Sequence, residues 1–385
     1  MENNKNTVHI YYNSSLDGRI SAAYYFQYIK RTDPKYNRTM LYEVDPDEEL
    51  DITKIIEGDM VVFLDYPFST IYNWNIFIGI INLKKNHVVW FDHHMSSIRL
   101  LTYFNDRVNN IDSSYIYNSL KNGGDVFYYR ENNLDIYYTN NYSTTYGIWC
   151  YCNSKLNSTF VEDSSFLNPP AYDIPLLVKY VDHYACNKHS LKNTIEFNYG
   201  IYNISKNPKK LHKKLDYPNN LDLFDSDNNN ILALETNIIK RCIDDGKIIK
   251  KYLHAKNKES IKSSAIKFNI KIGNNNYNCI AINTKSNSLI FEELINEYDI
   301  VCTFHMANYN IEAWEYALYS NKEFTYGEYS CVDIANMMRN LKFHISSGGN
   351  SNAAGFVLSK LIIYPNCTIK IYKTIFGKIK LKVLK

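Results

Sequence analysis

The strongest chemical signal in this sequence comes from Asp17, Asp65, Asp92, His93, His94 and Asp182. Asp65 follows the apolar run Asp59–Leu64, Asp92 follows His87–Phe91 and precedes two histidines, and Asp17 lies in the turn after Val8–Asn13. A carboxylate leaving a hydrophobic run is costly unless a partner or a metal compensates it. Taken singly, such an Asp reads best as a helix N-cap or a loop acceptor. Several converging, with histidine among them, fit a divalent-metal site. Phosphodiester hydrolysis suits such a site, because it needs charge neutralisation on the phosphate and a deprotonated water at neutral pH, and ions held by Asp and His deliver both.

The surrounding pattern supplies the elements that must position these residues. Val8–Asn13 reads as a short strand, followed by a polar turn and by Arg19–Ile29 with apolar residues at helical spacing. Asp59–Leu64 and His87–Phe91 are continuous apolar runs of strand length, the signature of a parallel sheet covered on both faces. Helical stretches follow at Thr144–Cys152 and Ile174–Asp182. Strands alternating with helices predict a doubly wound layer whose ligands sit at the carboxyl ends of the strands, where Asp17, Asp65 and Asp92 fall. Lys206–Asn229 turns polar, a surface excursion, and Ile231–Ala255 carries a long helical pattern with Lys on its outer face. A second alternation has strands at Lys267–Ile272, Cys279–Asn283, Ile300–His305 and Ile311–Tyr319, with helices near Leu289–Glu297 and Val332–Leu341. The expected fold is α/β: an N-terminal doubly wound, mostly parallel sheet over residues 1–225, a connector helix over 226–260 and a smaller α/β domain over 261–385. Near the C-terminus Lys378, Lys380 and Lys382 share one face of a strand, where protection of a sheet edge explains them better than nucleic-acid contact.

With 385 residues the chain fits two domains, each with its own core. Hydrophobic residues make up 45% and charged residues 22%, which excludes disorder as a global description. Lys and Arg number 43 against 40 Asp and Glu, too small an excess to announce a nucleic-acid coat or a membrane-surface protein. No basic segment precedes an apolar leader, and no apolar run approaches the length of a membrane span, so a soluble cytoplasmic protein is expected. The 8 cysteines are too sparse for a disulfide framework and read as reduced thiols. Cys150 and Cys152 lack the second pair that a metal site would need. Tyr is abundant, at 35 residues, as are Asn, Lys and Ile; this composition looks like AT-rich coding sequence and would suit a large DNA virus, a phage or a parasite.

The segment FDHHM (Phe91–Met95) resembles the third motif of the DHH phosphoesterase superfamily, which includes single-strand exonucleases, oligonucleotide phosphodiesterases, cyclic dinucleotide hydrolases and pyrophosphatases. NSSLDGRISAA (Asn13–Ala23) resembles its first motif, FLDYPF (Phe63–Phe68) its second and KYVDHY (Lys179–Tyr184) its fourth. WEYALYS (Trp314–Ser320) and SSGGNSNAAGF (Ser346–Phe356) resemble a strand and the Gly-rich signature of the DHH-associated domain. These segments occur in family order over nearly the whole chain.

The resemblance implies a site only half retained. Asp17, Asp65, His93 and Asp182 match ligands that would hold one Mn2+ or Mg2+. Tyr12 and Ser15 stand where the first motif of active relatives has a His and an Asp, so a second metal is not expected. A phenol of pKa near 10 and a neutral hydroxyl are poor ligands for a hard cation. His9 offers no rescue, since it points to the opposite face of its strand. Asp92 is implied to orient its neighbours and His94 to lie near the substrate phosphate. In the C-terminal domain Gly348, Gly349 and Asn350 match the substrate-binding loop, Asn350 in place of a His, and Tyr319 replaces an Arg that grips substrate. Loss of one ion removes several kcal/mol of transition-state stabilisation, so activity is expected to fall by orders of magnitude. The expected function is therefore a phosphoesterase-like protein, inactive or a weak single-metal hydrolase, with a phosphate-containing small molecule or short oligonucleotide as partner. The alternative is an active Mn-dependent phosphodiesterase on short oligonucleotides or cyclic dinucleotides. A further alternative is an interaction protein with Asn105–Asn141 and Lys206–Asn229 as contact surfaces.

Overall fold

The computed structural model describes residues 6–32, 38–45, 48–68, 71–82, 86–94, 97, 126–131, 133–139, 141–156, 174–186, 188, 190–202, 229–285, 288–308, 312–322, 324–325, 327–338, 341, 344–349, 353–373 and 379–384. Asn350, Lys378 and residues 105–125 and 206–228 lie outside this set. Two compact units divide the chain, Met1–Lys250 and Lys251–Lys385.

In the first unit, β1 (Thr7–Tyr12), β2 (Arg38–Glu43), β3 (Met60–Leu64), β4 (His87–Asp92), β5 (Val126–Glu131) and β6 (Leu134–Thr139) form a sheet in the order β2-β1-β3-β4-β6-β5. All neighbours pair in parallel except β5, which returns antiparallel beside β6. Strand residues alternate between two cores. Met60, Val62, Leu64, Val89 and Phe91 face one, while Val61, Phe63, Val88 and Trp90 face the other. The helices α1 (Leu16–Thr32) and α2 (Ile71–Asn82) cover opposite faces. On the α1 side pack α3 (Thr144–Leu156), α4 (Leu176–Ala185) and α5 (Thr194–Ile201); on the other, α2 contributes Trp74, Phe77 and Ile80 at helical spacing. Both faces are therefore covered, as the apolar runs require. The hairpin of β5 and β6 takes the latter part of Asn105–Asn141, offered as a contact surface, into the sheet: β6 is buried along its whole length between β4 and β5.

The long helix α6 (Asn229–Ser264) meets α5 with almost no space between backbones. A Cβ added to Gly200 would stand 1.8 Å from the Cys242 carbonyl oxygen, and one added to Gly246 would stand 1.7 Å from that of Glu196. Lys250 and Glu196 close the contact with an ion pair at 3.2 Å.

The second unit holds β7 (Ile266–Ile272), β8 (Asn275–Asn283), β9 (Ile300–Asn308), β10 (Glu312–Tyr319), β11 (His344–Gly349), β12 (Ala353–Leu358), β13 (Thr368–Lys373) and β14 (Ile379–Leu384). They form a mixed sheet in the order β11-β12-β10-β9-β8-β7-β13-β14. The helix α7 (Cys331–Met338) packs Ile334, Ala335 and Met338 onto one face of it. The helix expected at Leu289–Glu297 is instead a single 3-10 turn, Ser288–Phe291, followed by further turns. Its three-residue bonds, such as Leu294 N–H to the Phe291 carbonyl, let Ile290 and Phe291 plug the other face against Ile280, Ile282 and Val301. All eight cysteines are free thiols. Among the described residues no helix is long and apolar enough to cross a membrane.

Candidate metal centre

Because β1, β3 and β4 run parallel, the residues that follow them gather at one edge of the sheet. Asp65, the first residue after β3, has a left-handed backbone with φ 54°, and its N–H donates to the Phe91 carbonyl at 2.9 Å. That conformation costs most L-residues about 1 kcal/mol or more and is tolerated by Asp. The Asp65 carboxylate lies between Ser15, whose hydroxyl donates to it at 2.5 Å, and His93, whose Nε2 is 3.2 Å from Oδ1. Ser15 is also the N-cap of α1, accepting the Gly18 N–H at 2.9 Å. Only glycine fits position 18, because a Cβ there would lie 2.2 Å from the Asn13 carbonyl oxygen.

Asp17 and Asp182 meet at the N-terminus of α3. Asp17 accepts the N–H groups of Thr144 and Thr145 at 2.9 and 2.7 Å, and Asp182 Oδ1 accepts that of Ser143 at 2.7 Å. Ser143 Oγ takes the N–H of Tyr146, so the first turn of α3 is fully capped and its positive end faces two carboxylates. Asp17 Oδ2 also stands 3.4 Å from His93 Nε2. The second oxygen of Asp182 belongs to Lys188, whose ammonium donates to it at 2.6 Å and lies 4.7 Å above the Tyr142 ring.

Asp92 ends β4, paired with Tyr138 of β6, and its side chain is a hub. Its Oδ1 accepts the N–H groups of His93 and His94 at 2.8 and 3.3 Å and lies 2.7 Å from His94 Nδ1, while Ser97 donates to Oδ2. These bonds fix both imidazoles. Burial works against a charged His94, but the Asp92 charge and hydrogen bond outweigh it and raise its pKa to about 9. His93 is raised too, the Asp65 hydrogen bond prevailing over burial. Burial, and then the charge of Asp65, push the Asp17 carboxyl up to about 7. Burial would raise Asp65 as well, but the His93 hydrogen bond and the two imidazolium charges hold it below the ordinary carboxylate range. Without an ion, protons on histidine neutralise the carboxylates.

The donor spacing tests whether an ion could replace those protons. Around a divalent ion with ligand bonds of about 2.1 Å, adjacent donors stand about 3 Å apart. His93 Nε2 lies 3.2 Å from Asp65 Oδ1 and 3.4 Å from Asp17 Oδ2, so each carboxylate stands at ligand spacing from the one imidazole. His94 completes a group with Asp65 and His93 whose ligand atoms lie within 4.8 Å of one another. Its Nδ1, however, is the atom donated to Asp92, which leaves it unsuited to ligation in this arrangement. Asp182 is not brought into the group, since both its oxygens are engaged by Ser143 and Lys188.

The remaining predicted positions serve packing. Tyr12 is 4% exposed in the core, and burial holds its phenol protonated at neutral pH. His9 pairs with Asp59 at 3.0 Å, and Asp59 also accepts the N–H groups of Thr7 and Ile56, a self-contained buried pair at the amino ends of the strands. Tyr319 ends β10, packs against the cluster of Ile280 and Val301, and bonds to Thr303. Gly348 and Gly349 lie in β11, opposite Gly355 and Ala354 of β12. Sequence reasoning missed Ser143, Thr144, Thr145 and Lys188. The Ser-Thr-Thr run ahead of a helical stretch was a readable N-cap signal; Lys188 carried none.

No protein-family model and no curated protein matches the sequence. Among solved structures, an uncharacterised protein from Helicobacter pylori aligns at 12% identity over 93% of this chain and 95% of its own, with a TM-score of 0.32. RecJ from Thermus thermophilus in complex with Mn2+ aligns at 7% identity over 96% of this chain and 55% of its own, with a TM-score of 0.45. The DHH domain of a member of a family of ribosomal proteins aligns at 10% identity over 92% of this chain and 83% of its own, with a TM-score of 0.42. Identities and scores this low assign neither family nor activity, and the chemistry rests on the geometry above.

Proposed function

We propose that this chain is a phosphoesterase-like protein of the DHH type that holds one divalent ion, Mn2+ or Mg2+, on Asp17, Asp65 and His93. It binds phosphate-bearing ligands, nucleotides or short oligonucleotides, with hydrolysis reduced by orders of magnitude or lost. The observation that carries this reading is the meeting of Asp65, His93 and Asp17 at the carboxyl ends of parallel strands with donor separations of 3.2 and 3.4 Å. The order of the sequence motifs supports it independently. A bound ion would supply charge neutralisation on a phosphate oxygen and a lowered pKa for a coordinated water.

The chain's own groups do the rest. Asp92 fixes the His94 ring through Nδ1, and the side chain is 34% exposed, so the imidazolium can offer its other N–H to an anionic ligand. Tyr12 is buried and neutral, and Ser15 is committed to Asp65 and to capping α1, so neither supports a second ion. A working Mn-dependent phosphodiesterase is the second reading, and one observation favours it: the Lys188 ammonium at Asp182 places positive charge beside the carboxylates without a second ion. The test is Mn2+ uptake, together with hydrolysis of a generic phosphodiester and of short oligonucleotides, by wild type, Asp65→Ala and His93→Ala. One ion bound by wild type and by neither variant is expected, with whatever turnover exists lost in both. Mn2+ uptake unchanged in the variants overturns the site; robust turnover that both variants abolish selects the second reading.

A further inference from the structure

The sheet of the second unit carries a charged face that the metal centre does not use. On β7, Lys267 and Lys271 are exposed while Phe268 and Ile270 are buried; on β13, Lys370 and Tyr372 are exposed while Ile369 and Ile371 are buried. On β14, Lys380 and Lys382 are exposed. Strand pairing sets Lys271 beside Lys370, Lys370 beside Lys382, and Tyr372 beside Lys380. Lysines therefore cross three adjacent strands in one row, at the ~4.8 Å spacing of neighbouring strands, with an aromatic ring and a further lysine in the next row.

Like charges directly opposite one another destabilise a sheet, and β7, β8, β13 and β14 contain no acidic residue to offset them. Edge protection accounts for Lys380 and Lys382, because β14 is the outer strand of the described sheet. It does not account for Lys271 and Lys370, which stand on the two strands inside it. A membrane-surface role would set a band of apolar anchors beside the lysines, whereas the apolar residues of β7 and β13 turn into the core and Leu384 is the one exposed aliphatic among the described residues of this face. Tyr372 is 39% exposed, in reach of a ligand that lies along the lysine row. Cationic rows interleaved with an exposed aromatic are the surface that single-stranded nucleic acid uses, phosphates on the lysines and a base on the ring.

We propose that the exposed face of β7, β13 and β14 binds single-stranded nucleic acid, with Lys271, Lys370 and Lys382 along the phosphate backbone and Tyr372 stacking a base. The surface belongs to the second unit and does not rest on the proposed metal centre. The test is fluorescence anisotropy of a labelled oligothymidylate with the full chain in EDTA, across salt concentrations. Binding that weakens with salt is expected, and the combined Lys271→Gln, Lys370→Gln and Lys382→Gln variant should flatten the logarithmic salt slope by about 2, at ~0.7 per charge removed. Tyr372→Ala should weaken binding about 5- to 150-fold, the range of one base stack. The matching Lys→Arg variant should retain binding, which separates charge from folding. Because binding is measured in EDTA, where the metal centre holds no ion, failure here is distinguishable from failure of the metal centre. Absence of binding by wild type, binding that survives the Gln variant, or a preference for duplex DNA or phosphatidylserine vesicles would each overturn the proposal.

Discussion

Replacing Asp92 with Asn should shift the protonation of His94 and flatten the pH dependence of stability in the metal-free protein. Asp92 Oδ1 stands 2.7 Å from His94 Nδ1; against burial, its charge and hydrogen bond, with smaller help from Asp65 and Asp17, lift the imidazole from 6.5 to about 9. At about 1.4 kcal/mol per pH unit that coupling is worth about 3 kcal/mol. The His94 side chain is 34% exposed, and solvent screening reduces the figure to about 1–2 kcal/mol. A raised histidine pKa means that the folded state holds the proton more tightly. Its stabilisation is therefore complete below pH 6.5, declines as pH rises and is gone above about pH 9. For a unit of this size that corresponds to about 2–8 °C in Tm. Asn keeps an oxygen acceptor for the backbone N–H groups but carries no charge, so the variant should lose less stability between pH 6.5 and 9 than wild type does. Asp17, raised from 3.8 to about 7, has the same sign but acts below neutrality, so the two contributions separate by pH. Imidazole proton NMR in EDTA reports the His94 titration directly, and thermal melts at matched pH values report its linkage to folding. A wild-type His94 that titrates near its ordinary value, or pH profiles that superimpose for the two proteins, refutes the argument.

Gly246→Ala should cost about 3 kcal/mol or more in urea unfolding, because its Cβ would stand 1.7 Å from the Glu196 carbonyl oxygen. Gly79→Ala, in α2 with nothing within 4 Å of the new carbon, should instead gain about 0.5–1 kcal/mol, and equal effects at the two positions would contradict the packing of α5 on α6. Lys188→Met should destabilise by about 1–2 kcal/mol, less than a fully buried pair because the lysine side chain is 32% exposed, and adding Asp182→Asn should restore most of the loss. Mn2+ affinity should rise with pH through and above the ordinary histidine range, since the ion must displace the proton that Asp65 stabilises on His93. Titration calorimetry in buffers of different ionisation enthalpy would show that proton release, and a pH-independent affinity would count against His93 as a ligand.

Of the strands that build the centre, β3 and β4 were legible because each is a short, uninterrupted apolar run leading into Asp, which fits a doubly covered parallel strand. The helix α2 escaped notice because IYNWNIFIGIIN also carries isoleucines off the Trp74, Phe77 and Ile80 face, which blurs its helical period. The hairpin of β5 and β6 was hidden by the Asn-rich stretch around it, although β6 is buried throughout. At the site, Asp92, His93 and His94 could be read as a unit because the backbone itself places them together at one strand end. The contact of Asp17 with Thr144 and Thr145 joins residues more than a hundred positions apart, and neither local propensity nor periodicity carries that information. Lys188 at Asp182 is closer in sequence, but it depends on how the chain turns after α4, which a single lysine does not announce.

The same geometry decides which residues testify to a metal. Asp17 and Asp182 would be needed in a protein that never bound an ion, because between them they take three backbone N–H groups at the positive end of α3, and Lys188 balances the second. Their presence is explained by the fold. Asp65 and His93 are different: they cap no helix, Asp65 accepts a left-handed backbone to reach its place, and the buried Asp65 and partly buried His93 hold each other by a hydrogen bond. A pair of well-packed apolar residues would serve folding at least as well, since taking two charges out of water costs more than a buried ion pair usually returns. The strain and the buried charge at Asp65 and His93 therefore point to a ligand outside the chain. The replacement that separates a phosphate-binding centre from an inherited scaffold is accordingly Asp65→Leu combined with His93→Leu. If the centre has no ligand, the double variant should match or exceed wild-type stability in both EDTA and Mn2+. If it holds an ion, wild type alone should gain thermal stability from Mn2+, by an amount that grows with the logarithm of its concentration.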